Sequence, residues 1–402
     1  MHILIAPNAF KNSLSAEAAA DAILLGLEQS RLRFTAECFP VGDGGDGTGD
    51  LLMTRLGAKR ISVSARDPLG RERTTYWGLA SHPATAASHP ATAAASITTH
   101  SPDQSGLSTA IIEMANASGL RLLAPQELTP LHSASWGTGD LIRSALEKGV
   151  DRILVGMGGS ATVDGGTGIL VALGARFVDS DGREITDLPA GLTHLAAIDL
   201  KGLDPRLKNV ELSVLCDVDN PLLGPQGAAA VFGPQKGASP QDVEKLEQAL
   251  QQFAAIVRHQ LGVSLTDLRK GGTAGGAAAG LHGVLGARLA GGIAYFLKVS
   301  GFEKALERAD WVITGEGSLD EQTLKGKGPF GVASAAKGRG LPVIGLAGRL
   351  PREKSASLEN YFDVLLPINH EAAPLGDALP YTGANLTATA RAVGNLLALA
   401  GV

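Results

Sequence analysis

His2-Ile3-Leu4-Ile5-Ala6-Pro7-Asn8-Ala9-Phe10-Lys11-Asn12-Ser13-Leu14-Ser15-Ala16 opens the chain, and its reading decides the fold class. Residues 2–6 are a short unbroken apolar run, the pattern of a strand covered on both faces. Ser15 then stands where an N-cap belongs. Ala18, Ala19, Ala22, Ile23 and Leu27 follow at helical spacing, so a strand leads through a polar loop into an amphipathic helix. Further along, Trp311-Val312-Ile313, Val343-Ile344-Gly345-Leu346 and Val364-Leu365-Leu366 read as strands, with an Ala-rich helix over about 331–337. In the middle, a helix over 141–148, a strand over 153–155 and a helix over 167–173 repeat the alternation. A turn at 179–182 and a strand over 210–215 come next. Alternating strands and helices predict an α/β fold built on parallel sheet. The expected architecture is a Rossmann-like parallel-sheet domain formed by residues 1–70 and 291–402. A second α/β domain, residues 71–290, is inserted into it, and the active site lies in the cleft between them.

Composition narrows the classes. At 402 residues the chain exceeds one average domain, and 44% hydrophobic with 19% charged residues is a globular mixture. Lys and Arg number 35 against 40 Asp and Glu, a net charge of −5, so there is no basic excess to meet a nucleic acid backbone. Only Cys38 and Cys216 are present, which excludes a disulfide framework and a thiolate zinc site and suits a reducing compartment. Apolar runs are cut by Gly or charge well short of the roughly 20 residues that cross a bilayer. The opening stretch lacks a basic leader, so a cytoplasmic protein is expected, with no membrane partner. Nothing in the pattern specifies an oligomeric state. Residues 81–87 and 88–94 repeat one heptapeptide, Ser-His-Pro-Ala-Thr-Ala-Ala, which reads as an exposed loop duplication, with His82 and His89 as loop residues.

Glycine is the outlier, at 52 residues crowded into short blocks, several of them after strands. Such crowding points to backbone that approaches a ligand closely. Lys11 and Ser13 lie in the first strand-to-helix loop, where an anion would meet free N–H groups. Gly42-Asp43-Gly44-Gly45-Asp46-Gly47 carries acids that suit a hydroxyl or metal better than a bare phosphate. Gly156-Met157-Gly158-Gly159-Ser160-Ala161 follows a strand, and Asp179 lies 23 residues beyond Gly156, as in a dinucleotide fold. The glycines continue to Gly168, however, so a wider phosphate-holding loop fits better than a Rossmann turn. Asp217-Val218-Asp219-Asn220-Pro221 offers oxygen ligands for Mg²⁺ or a base beside a metal ligand, and Lys236 lies between glycines with room to approach a phosphate. Thr314-Gly315-Glu316-Gly317 with Asp320, Lys325 and Lys327 holds carboxylates, hydroxyls and cations at a strand's end. No Walker motif, zincin motif, nucleophile elbow or protein-kinase set is present.

In these blocks the chain resembles the bacterial glycerate kinase family across essentially its full length. The likeness rests on Phe10-Lys11 with Ser13 to Ala16, Asp43-Gly44-Gly45, Gly158 to Thr162 with Asp164-Gly165-Gly166, Cys216 to Leu222, Gly233 to Ala238, and Thr314 to Gly317 with Asp320 and Gln322. Asn8 departs from the family's usual Asp, Asn12 from Gly, Asp46 from Glu and Val163 from Asn. The resemblance implies two domains, one Rossmann-like and one inserted, and transfer of the γ-phosphoryl of ATP to D-glycerate with Mg²⁺, giving 2-phosphoglycerate.

Within that expectation Asp217 accepts the proton of the glycerate hydroxyl. Lys11, Ser13 and Asp43 hold the acceptor. Gly158, Gly159, Ser160, Lys236, Lys325 and Lys327 hold the nucleotide phosphates, and Asp219, Asn220 and Glu316 are the metal candidates. Two rival readings are an NAD-dependent oxidoreductase of a small hydroxy acid, using Gly156 to Ala161 with Asp179, and a non-catalytic two-domain solute-binding protein.

Overall fold

The computed structural model describes residues 1–81, 107–353, 355–371 and 374–401; of Lys325 it describes the backbone only. The duplicated heptapeptide beyond Ser81, with His82 and His89, lies outside the described residues. In chain order the strands are β1 (His2–Ile5), β2 (Thr35–Cys38), β3 (Lys59–Arg66), β4 (Glu72–Ser81), β5 (Ser108–Glu113), β6 (Arg152–Gly156), β7 (Arg176–Val178), β8 (Ala197–Asp199), β9 (Glu211–Cys216), β10 (Arg288–Gly291), β11 (Trp311–Ser318), β12 (Val343–Arg349) and β13 (Val364–Pro367).

Both ends of the chain build one sheet, in the order β13-β12-β11-β1-β2, and every neighbour in it is parallel. Counted without the interruption, this is the doubly wound order 2-1-3-4-5, rather than the 3-2-1-4-5-6 of a dinucleotide fold. Strand alternation explains why helices cover both faces. Ile3, Ile5, Ile313, Ile344 and Leu346 pack with the helices Ala16–Glu28 and Thr382–Ala400. Leu4, Val312 and Val343 point the other way, into a cluster with Val332, Ala333 and Ala336 of the helix Gly328–Gly338. Ser15 caps the first helix as its position suggests, its hydroxyl accepting the Ala18 N–H at 3.2 Å.

The middle of the chain forms a mixed sheet, β10-β9-β6-β5-β4-β3, in which β10, β9, β6 and β5 run parallel and the β3–β4 hairpin adds two antiparallel strands. Its main core gathers Trp77, Ile112, Val155, Val214, Phe177 and Phe253. Ala80, Ile111 and Leu215 from this sheet join Leu4 and Val312 from the other and Phe39 just after β2, so the two layers share a buried contact. Among the described residues no helix is long and apolar enough to cross a membrane.

Candidate active site

In a doubly wound sheet the crevice lies beyond the carboxyl ends of the strands, where the order reverses, here between β1 and β11. A pocket of about 640 Å³ opens there, lined by residues 8–15 after β1, Asp43, Gly45 and Asp46 after β2, Met157 to Ser160 after β6, Asp217 and Val218 after β9, and Lys236. Both sheets therefore contribute walls. Lys11, Ser13, Asp43, Gly158, Gly159, Ser160, Asp217 and Lys236 all come together in it.

Two glycine-rich loops meet backbone to backbone at its floor. Gly44 has a φ of +98°, and a Cβ there would sit 3.0 Å from the Cys216 carbonyl carbon. A Cβ on Gly158 would lie 2.0 Å from the Asp46 nitrogen, and the Gly158 N–H is donated to the Gly44 carbonyl at 3.0 Å. The glycine at 158 therefore serves loop-to-loop contact, and its N–H is engaged within the protein.

Lys236 is 3% exposed and donates to Ser160 Oγ at 2.8 Å and to the Thr162 carbonyl at 2.7 Å. Burial lowers its pKa to about 7, with Asp164 and then Asp217 opposing that shift. Asp164 anchors the loop from beneath, accepting the backbone N–H groups of Ser135, Gly166 and Gly168 and the Ser135 hydroxyl. Asp217 sits half-buried in the pocket wall. Desolvation raises its pKa, the Asp43 charge raises it further, and Lys11 lowers it. Asp43 is buried and fixed by three donors: Asn8 Nδ2 at 2.8 Å, Gly45 N–H at 3.2 Å and Gly328 N–H at 3.4 Å. Asn8 thus contributes as a neutral donor. Asn12 has a φ of +64°, a left-handed position that Asn tolerates. Lys11 is exposed at the rim, and the Ser13 hydroxyl is donated to the Leu379 carbonyl at 3.2 Å.

Other expected residues are not part of the pocket lining, although Glu316 lies close enough to feel the Asp43 and Lys11 charges. Asp219 is ion-paired with Lys270 at 2.5 Å and Arg269 at 2.8 Å, and those hydrogen bonds, Lys270 first, lower its pKa. Asn220 donates to the Gln226 carbonyl at 2.8 Å. Glu316 is buried, and desolvation pushes its pKa up to about 7; it accepts the Thr323 hydroxyl at 2.8 Å and lies 3.8 Å from Lys327. Lys327 is thus engaged with Glu316, and the Lys325 side chain lies outside the description. Asp219, Asn220 and Glu316 are not among the residues that line the pocket, and among the described residues no group of three or more His, Cys, Asp or Glu side chains could hold a metal ion. Both Asp219 oxygens are taken by Arg269 and Lys270 and burial draws Glu316 toward its neutral form, so as they stand these two carboxyls are poorly suited to a metal.

Two groups beside the pocket escaped the sequence reading. Glu113, at the end of β5, is fully buried and accepts the Gly49 N–H at 2.5 Å, while its Oε1 has no partner. Burial pushes its pKa well above the usual carboxylate range, against the Gly49 hydrogen bond. The acid that ends the apolar run Ala110-Ile111-Ile112 was its sequence signal. Arg121 pairs with Asp46 at 3.2 Å and also donates to Asn116 Oδ1.

Nothing supports the oxidoreductase alternative. β7 leaves the main sheet to pair antiparallel with β8, so Asp179 sits in a turn, accepting the Asp181 and Arg183 N–H groups, and not beside β6. The glycerate kinase family profile matches residues 3–398. A glycerate kinase of Bacillus subtilis is 41% identical over 400 residues, covering 100% of this chain and 98% of the relative. A glycerate 2-kinase of Escherichia coli K12 is 37% identical, covering 99% and 98%. A crystal structure from Salmonella typhimurium LT2, provisionally described as glycerate kinase 2, superposes with a TM-score of 0.77 at 40% identity, covering 100% of this chain and 99% of that one. With a matching profile, full-length relatives and a shared fold, the chain belongs to the glycerate kinase family and is a kinase.

Proposed function

We propose that this enzyme transfers the γ-phosphoryl group of ATP to the 2-hydroxyl of D-glycerate, giving 2-phosphoglycerate, with Mg²⁺ as the counter-ion of the nucleotide. The observation that carries the reading is the convergence of Asp217, Ser160 and Lys236 on one pocket at the sheet's switch point. Phosphoryl transfer requires an aligned acceptor, a proton acceptor and positive charge at the phosphate, with little covalent work by the protein. Asp217 takes the hydroxyl proton; burial and the neighbouring Asp43 bring it nearer to neutrality, as suits a base. Lys236 and the Ser160 hydroxyl meet the transferred phosphate. Lys11 balances the glycerate carboxylate at the rim.

The names of the relatives support glycerate as acceptor and, through the Escherichia coli protein, the 2-position. When bound, Mg²⁺ supplies charge neutralisation, largely through phosphate oxygens and water. The two-domain division belongs to the same proposal and is supported by the two sheets, one drawn from the chain ends and one from the middle, although β3 (Lys59–Arg66), within the expected first domain, pairs in the second sheet. Phosphorus NMR of a reaction containing ATP, Mg²⁺ and D-glycerate tests it. The expected result is ADP with 2-phosphoglycerate; 3-phosphoglycerate overturns the regiochemistry, and no new phosphoester overturns the function.

A further inference from the structure

The pocket wall is short of positive charge for the molecule it is to hold. Asp43, Asp46 and Asp217 line it against Lys11 and Lys236. Lys236 already directs two hydrogen bonds into the protein, and its pKa of about 7 leaves it only partly charged at neutral pH. Lys327 lies against Glu316. A nucleotide polyphosphate therefore meets more carboxylate than ammonium, and transfer needs charge stabilisation where the phosphoryl group moves.

Arg121 is placed to correct this. It follows Leu120, which lines the pocket, and its Nη1 lies 3.2 Å from Oδ1 of Asp46, itself part of the wall. Asp46 in turn lies over the Gly159 loop, where a Cβ on Gly159 would be 3.0 Å from the Asp46 Cγ. The guanidinium thus sits at the edge of the wall that the expected phosphates would meet. Its pair with Asp46 is close to half-exposed, 48% and 44% for the two side chains, so exchanging partners costs little. The other guanidinium nitrogen is donated to Asn116 Oδ1, and the Asn116 carbonyl is held by Thr75 Oγ1 at 2.8 Å, which gives the arm a firm base.

Resting on the function proposed above, we infer that Arg121 binds the nucleotide phosphates, leaving Asp46 to do so. A planar fork suits phosphate oxygens better than a lysine ammonium. Calorimetric titration with a non-hydrolysable ATP analogue, together with steady-state kinetics, tests the assignment on the wild type, R121A, R121K, D46N and the double variant. The expected result for R121A is roughly 10- to 100-fold weaker analogue binding, the scale of one charge-assisted hydrogen bond, with an equal fall in kcat/KM for ATP and KM for D-glycerate within twofold. R121K recovers part of the loss. D46N tightens analogue binding when Arg121 is present and not when it is absent, a coupling that a merely structural arginine would not produce. Wild-type affinity and kcat/KM in R121A, with the wild type phosphorylating glycerate, overturns the role of Arg121 alone. A wild type that neither binds the analogue nor phosphorylates glycerate overturns the functional reading and this inference with it.

Discussion

Lys236 holds its ammonium 2.8 Å from the hydroxyl of Ser160, and the two residues lie 76 positions apart in the chain. Removal from water lowers the pKa of this lysine from its ordinary 10.5 to about 7. Its positive charge is therefore present below neutrality and fades above it. In the free enzyme kcat/KM should fall with a one-proton limb near pH 7. In kcat the limb should lie higher, because bound phosphate favours the charged form. K236R, which stays charged, should remove the limb from the pH–rate profile. An unchanged limb in K236R would assign it to another group.

Asp217 titrates on the acid side. Its pKa is raised by burial and by the Asp43 charge, so activity should fall as the pH drops through a value above that of an ordinary aspartate. D217N should keep the fold, by circular dichroism, and lower kcat by a factor of roughly 10² or more. D43N removes a charge that raises the Asp217 pKa, so the acid limb should move to lower pH in whatever activity remains.

Glu113 separates shape from charge. Folded, this buried carboxyl holds its proton well above the ordinary glutamate value of 4.5; unfolded, it ionises near that value. The unfolded state thus binds fewer protons between the two, so this group's contribution to stability is full below about pH 4.5 and declines as the pH rises. E113Q, a neutral isostere, should gain stability relative to wild type on going from pH 4 to pH 8 in urea denaturation. E113A leaves the Gly49 N–H unpaired and a cavity, at a cost of about 2–4 kcal/mol. Parallel pH profiles for E113Q and wild type would show that the carboxyl is ionised in the folded protein.

D219N should change kcat and the Mg²⁺ dependence less than threefold, because Lys270 and Arg269 hold this carboxylate. A loss near 10² would restore Asp219 as a metal ligand.

Four strands of the sheet formed by the chain ends were legible because they are short apolar runs stopped by Gly, Pro or charge, as at Ile3-Leu4-Ile5 and Val343-Ile344, whereas β2, Thr35-Ala36-Glu37-Cys38, has no such run and was missed. The β3–β4 hairpin was not anticipated. Lys59–Arg66 does alternate apolar Ile61, Val63 and Ala65 with polar Ser62, Ser64 and Arg66, but it buries only Ala65 fully and the alternation was passed over. Composition pointed to glycine loops near a ligand, yet could not show that Gly44 and Gly158 are there largely to let two backbones touch. Asp217 and Asp219 share one motif; only the fold reveals that the second is captured by Arg269 and Lys270, some 50 residues downstream. Glu113 and Arg121 lie outside every glycine block, and their roles arise from residues that neither neighbours in sequence.

A crystal structure of the enzyme with D-glycerate and a non-hydrolysable ATP analogue is the most direct test. The account predicts the terminal phosphate within about 3 Å of Ser160 Oγ and Lys236 Nζ, with the glycerate 2-hydroxyl at the same distance from the Asp217 carboxylate. Ligands seated away from that pocket, for example in the groove beside Leu25 and Arg391, would contradict it.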